Sequence, residues 1–160
     1  MQQDAITDKD RFAIKVVMLI NSFDFKDSED FSFHAIKNEN DTITLPSRIV
    51  KDDEPLKTCI DSLLSEYLVI EKESPIDCKL VDVIDTFSNE HKQRVINLVF
   101  NITLNRKDNH YFHKSLSIFD NKEIFEIIDP EGNHKERIST SDAAAILMSV
   151  MEISRQVQNG

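Results

Sequence analysis

Ala13 to Ile20 reads A-I-K-V-V-M-L-I, an apolar run broken only by Lys15, and it predicts a strand covered on most of its surface. Phe31, Phe33 and Ala35 alternate with Ser32 and His34, the period of a half-buried strand. Between them, Asn21 to Asp30 is polar apart from two Phe and reads as a loop. Asn38 to Asp41 is a turn cluster, and Thr42 to Val50 carries a short strand interrupted by Pro46. The period then changes. Leu56, Ile60, Leu63, Leu64, Tyr67 and Leu68 fall on one face of a helix, with Asp53 as its cap, Pro55 in its first turn, and Glu71 to Pro75 ending it. Lys79 to Phe87 reads as a strand and Ser88 to Gln93 as a polar turn. Arg94 to Leu104 is the strongest strand signal in the chain. A turn over Asn105 to His110 predicts a hairpin with Tyr111 to Phe119, and Glu123 to Ile128 reads as a further strand. A last helix starts near Thr140 or Ser141, with Asp142 in its first turn and Ala143, Ile146, Leu147, Val150, Met151 and Val157 as its buried stripe. This order of strands and helices predicts an α+β fold, a mixed sheet lying between helices. Met1 to Arg11 reads as a mobile arm, and residues 12–160 as one domain.

Composition narrows the partners. The chain has 160 residues, enough for one core without a metal or disulfide staple. Its formal net charge is -10, which argues against a nucleic-acid backbone as the main partner. Cys59 and Cys78 form no framework and read as free, mostly packed thiols of a reducing compartment. The polar start and the short apolar runs predict neither a secretory leader nor a membrane span, so the expected location is the cytoplasm. Only Gly132 and Gly160 are glycine, which excludes phosphate-cradling Gly-rich loops.

The stretch LPSRIVKDDEPLKTCIDSLLSEYLVI, Leu45 to Ile70, resembles the signature loop-helix of the Nudix hydrolases with most of its catalytic residues replaced. That pattern is Gly, five residues, Glu, seven residues, then Arg-Glu-aliphatic-x-Glu-Glu-x-Gly-aliphatic. Laid without a gap from Arg48 to Ile70, it is met by Glu54, Leu64, Glu66 and Ile70. Arg48 stands at the first Gly, Ser62 at the Arg, Leu63 and Tyr67 at two of the Glu, and Val69 at the second Gly. The run Thr86 to Phe100 is similar to the segment after the box in ADP-ribose-type members and their regulatory relatives. The resemblance spans Arg11 to Val157. It implies a Nudix-like α/β/α sandwich with a central mixed β-sheet, and a divalent metal (Mg or Mn) held by box carboxylates to hydrolyse a nucleoside diphosphate linked to another group.

At the positions the resemblance assigns to metal ligands this chain has Leu63, Glu66 and Tyr67, one carboxylate of three. Glu66 is the candidate metal ligand, against its reading as a solvated helix-face acid. Arg48, Glu54 and Arg94 are the candidate ligand-binding residues, the two arginines because a guanidinium matches phosphate oxygens bidentately and Glu54 as a residual site carboxylate. Their plainer readings are a surface loop arginine, an anion in a first helical turn and a surface arginine near Lys92. Asp82, Asp85, Glu90, Glu71 and Glu73 are possible replacement acids. His110 and His113 form His-x-x-His on a strand, where they point oppositely. The reading is a Nudix-fold protein that has lost the standard hydrolysis and binds an ADP-ribose-like ligand, a protein partner or a second copy of itself. The alternatives are an active enzyme with relocated metal ligands, and an unrelated α+β interaction module.

Overall fold

A computed structural model describes residues 12–24, 27–69, 76–90, 92–105, 116–128 and 138–159. Its elements are β1 (Phe12–Asp24), β2 (Asp27–Lys37), β3 (Ile43–Thr44), β4 (Ser47–Ile49), α1 (Leu56–Tyr67), β5 (Asp77–Ser88), β6 (Gln93–Asn105), β7 (Ser117–Asp120), α2 (Asn121–Ile128) and α3 (Thr140–Asn159). The strands form one mixed sheet in the order β3-β2-β1-β6-β5, with β4 on β1 and β7 on β2. β1 and β6 run parallel over their whole length, while β5 and β6 form an antiparallel hairpin.

The apolar run in β1 is continuous because both sheet faces are covered. Val16, Met18 and Ile20 pack with Phe100, Ile102 and Leu104 against Cys59, Leu63, Leu64 and Tyr67 of α1. Val17 and Leu19 pack on the opposite face with Val99, Phe33, Ile124 of α2, and Ala145, Ile146 and Ile153 of α3. Each such side chain contributes about 1.5–3 kcal/mol when fully buried. This is the α/β/α sandwich that the pattern predicts.

Several local expectations are corrected. Asn21 to Asp24 is not loop but the end of β1, and β2 begins at Asp27. The strand holds its polar residues because they bond to one another: Asn21 Nδ2 donates to Asn101 Oδ1, and Ser22 Oγ lies 3.0 Å from His34 Nε2. The hairpin from β6 into Tyr111–Phe119 does not form, since β1 and β5 occupy both edges of β6 and β7 pairs with β2 instead. Tyr111 to Ser115 lie outside the described residues. Glu123 to Ile128 is helix, not strand; Asp120 Oδ1 accepts the Glu123 N–H at 2.9 Å, an N-terminal cap that ends β7 and starts α2.

In α1 the capping position is Pro55, without a side-chain cap bond, so Asp53 does not cap it. The buried stripe of α3 is also rotated from expectation. Ala145, Ile146, Ser149 and Ile153 face the sheet, while Leu147 and Met151 are about half exposed. Ser149 accompanies the apolar residues because its Oγ donates to Asn101 Oδ1 at 2.6 Å. Cys59 is buried as expected, but Cys78 is exposed on β5. None of the helices among the described residues is long and apolar enough to cross a membrane.

Candidate functional site

The box segment lies on the α1 face of the sheet. Arg48 pairs with Val16 across β4 and β1. Its guanidinium lies 3.4 Å from the Glu54 carboxylate, and the Glu54 side chain is only 10% exposed. Glu54 also accepts the Lys51 N–H at 3.4 Å, so the carboxylate is turned into its own loop. Cys59, beneath it in the first turn of α1, has its thiol pKa raised by burial first and by the Glu54 charge second, with Arg48 opposing. Arg48 and Glu54 are thus brought together, as each other's partners.

Farther along α1, Leu63 is fully buried and Tyr67 is 8% exposed, both within the core against β1 and β6. Glu66 is on the exposed side of the helix. Two of the three positions that the resemblance assigns to metal ligands are therefore packing surface. Among the described residues no group of three or more His, Cys, Asp or Glu side chains is placed to hold a metal ion. Asp82 Oδ1 accepts the Val83 N–H at 2.8 Å, and Asp85 pairs with Arg94 at 3.5 Å. Glu71, Glu73, His110 and His113 lie outside the described residues. On this donor set the described box residues do not fit a metal-holding rim.

Arg94 stands apart from Arg48. It shares a cross-strand row with Phe12 and Phe87, whereas Arg48 shares one with Val16, four residues along β1. That is about 13 Å along the strand. The Arg94–Asp85 pair is exposed on both sides, the kind of ion pair that contributes little to stability.

The opposite face of the sheet holds a cavity of about 490 Å³. That size is within the usual range for small-molecule sites. Its floor is built from the parallel pair: Ala13 and Lys15 of β1 beside Val95 and Asn97 of β6, where Lys15 and Asn97 are direct partners. Ile49 of β4 and Thr86 and Ser88 of β5 flank them, and Ser141 of α3 closes one side. β4 joins the two regions, since Ile49 lines the cavity while its neighbour Arg48 turns to the α1 face.

The polar groups of this floor are oriented. Asn97 is 5% exposed. Its Nδ2 donates to Ile84 O at 2.9 Å, to Thr86 Oγ1 at 3.0 Å and more weakly to Val95 O at 3.4 Å. Two of these are carbonyl oxygens and can only accept, so the amide nitrogen must face them and Oδ1 is left as an acceptor. Asp142 has its pKa raised by burial, opposed first by the bond it accepts from the Leu45 N–H, then by the Lys15 charge and then by Ser139. Lys15 and Asn97 were not singled out from sequence. The usable signal was a polar residue inside each of the two most apolar strand runs.

No family model matches the sequence, and no curated protein matches it. Solved structures do match in fold. A MutT/Nudix family protein from Listeria innocua superposes with a TM-score of 0.65 at 11% identity, covering 92% of this chain and 98% of that one. The Ap4A hydrolase of C. elegans superposes at 0.61 with 12% identity, covering 89% and 99%. The dihydroneopterin triphosphate pyrophosphohydrolase of E. coli superposes at 0.56 with 14% identity, covering 87% and 95%. At these identities the likeness is one of fold: the chain has the Nudix fold, spanning nearly the full length of each of these structures.

Proposed function

We propose that this chain is a Nudix-fold binding protein for a nucleotide-diphosphate-type ligand, ADP-ribose being the reference compound, and that its box no longer supports metal-dependent hydrolysis. The observation that carries this reading is the fate of the box side chains. Leu63 and Tyr67 are core residues, and Glu54 is held by Arg48. One guanidinium thereby occupies the Glu54 carboxylate, which is turned away from any ligand. The ligand class rests on the fold and on the cavity at its sheet, whose lining includes Lys15 and Asn97. Structures sharing the fold include enzymes named for Ap4A and dihydroneopterin triphosphate, both phosphate-chain compounds.

The test is a melting experiment with ADP-ribose and related nucleoside diphosphates, with and without magnesium or manganese. A ligand at about a hundred times its dissociation constant stabilises by about 2.7 kcal/mol, which moves the melt of a domain this size by roughly 5–10 °C. The expected result is a ligand-specific shift without turnover in either metal. Turnover abolished by Glu66→Gln would instead establish an active enzyme, and a flat panel would remove the ligand reading.

A further inference from the structure

The chain carries 29 acidic residues in 160, yet none of the described residues lining the cavity is Asp or Glu, and one is Lys. Lys15 is half-buried, and none of the described carboxylates lies within the 4 Å of an ion pair with it. Asp142 acts on Lys15 through its charge, while its carboxylate accepts the Leu45 N–H. Asn97 is the direct cross-strand partner of Lys15, the two backbones lying about 5 Å apart, and its Nδ2 bonds leave Oδ1 as an acceptor. Ser141, in the first turn of α3, adds a hydroxyl on the side where a helix favours negative charge.

We propose that this cavity seats the anionic, phosphate-bearing end of the ligand on Lys15 without a metal ion, with Asn97 Oδ1 accepting from a neighbouring hydroxyl or N–H of the same ligand. The proposal rests on the nucleotide-diphosphate reading above and adds to it where the charge is bound. It puts the phosphate on the sheet face opposite α1, so that neither Glu66 nor the Arg48–Glu54 pair takes part. A positive group in a concave site, half-buried as Lys15 is, interacts more strongly with an anion than the same group fully exposed on the surface. The acid-free lining keeps the carboxylates of a chain of net charge -10 out of the cavity itself, and Asp142 behind it is turned to the Leu45 N–H.

Titration calorimetry in EDTA tests it, with ADP-ribose, ribose 5-phosphate and adenosine as probes. Both phosphate-bearing probes should bind, and adenosine should bind at least about ten-fold more weakly than ADP-ribose. Lys15→Met should cost about ten-fold or more in ADP-ribose affinity, the usual scale for a charge-assisted bond, while Lys15→Arg should retain most of it. Ile49→Glu places an acid at the rim on a side chain already 49% exposed, and should weaken binding while leaving the fold intact. Lys57→Met, an exposed lysine of α1, should change nothing, and urea midpoints establish that each variant is folded. Binding that disappears in EDTA, adenosine binding as tightly as ADP-ribose, or unchanged affinity in both Lys15→Met and Ile49→Glu would overturn the proposal. If ADP-ribose binds independently of Lys15, the functional reading stands and this seat is wrong. If only ribose 5-phosphate binds, through Lys15, the seat stands and the diphosphate reading is wrong. If no probe binds, both fall.

Discussion

Asp142 occupies the first turn of α3, a position that favours an anion, and it accepts from the Leu45 N–H at 3.5 Å. Burial nevertheless dominates and holds its pKa above the ordinary carboxylate range. The folded state therefore binds the Asp142 proton more tightly than the unfolded chain does. Stability from this group is greatest below the unfolded pKa of about 4 and declines as pH rises through the folded value. Asp142→Asn keeps an acceptor for Leu45 and removes that decline. The variant should be more stable than the parent at pH 7 in urea unfolding, and the difference should shrink as pH falls toward about 4. A variant less stable at pH 7 would mean that the bonds to the anion outweigh its desolvation. Sequence alone placed Asp142 in a first helical turn and credited it with a favourable dipole; its burial depends on Leu45, 97 residues away, which no local pattern reveals.

The face that a helix buries decides which of its side chains can serve as ligands, and in α1 that face is set by packing. Leu63 and Tyr67 sit on the stripe with Cys59 and Leu64, so of the three positions that the resemblance assigns to metal ligands only Glu66 is left to solvent. Placing acids at the other two should therefore damage the fold before it creates a metal site. Leu63→Glu removes a fully buried leucine and forces a carboxylate among Val16, Met18 and Ile102, which should cost at least about 3 kcal/mol. Tyr67→Glu, nearer the edge at 8% exposed, should cost less. If Leu63→Glu melted within a degree or two of the parent and bound manganese, this position would be a usable rim and not core. The stripe of α1 was legible because its apolar spacing is regular over three turns. The α2 helix was not, because Ile124, Phe125, Ile127 and Ile128 are as compatible with a buried strand as with a helix. Only Asp120 as a cap, bonded to Glu123, decides between them.

At the scale of the molecule, the sheet has two faces, and sequence named candidates on only one of them. Arg48, Glu54, Arg94 and Glu66 were grouped by their place in a motif or their charge, but they lie along the α1 face with Arg94 about 13 Å down the strand from Arg48. The cavity on the other face is assembled from β1, β4, β5, β6 and α3, and its pairing of Lys15 with Asn97 depends on the parallel register across 82 residues. Such a register is a tertiary fact and leaves no mark in local periodicity.

Charge acts at this scale as well. The net charge of -10 opposes the compact state by self-repulsion, while two of the ion pairs among the described residues, Lys37–Asp41 and Arg94–Asp85, are exposed on both sides and weak. Added salt screens both, but there is more repulsion to screen than attraction to lose. Raising sodium chloride from about 20 mM to about 200 mM, which shortens the screening length to under about 10 Å, should therefore raise the melting temperature of the free protein. A fall would mean that pairs such as Lys79–Glu152, where Glu152 is 13% exposed and also meets Arg155 at 3.6 Å, contribute more than the excess acid subtracts. The same screening lowers the barrier that an acidic surface sets against an incoming phosphate. Association of ADP-ribose with the folded protein, followed by stopped flow over the same salt range, should be unchanged or faster, the reverse of the slowing expected at a site steered by a basic surface.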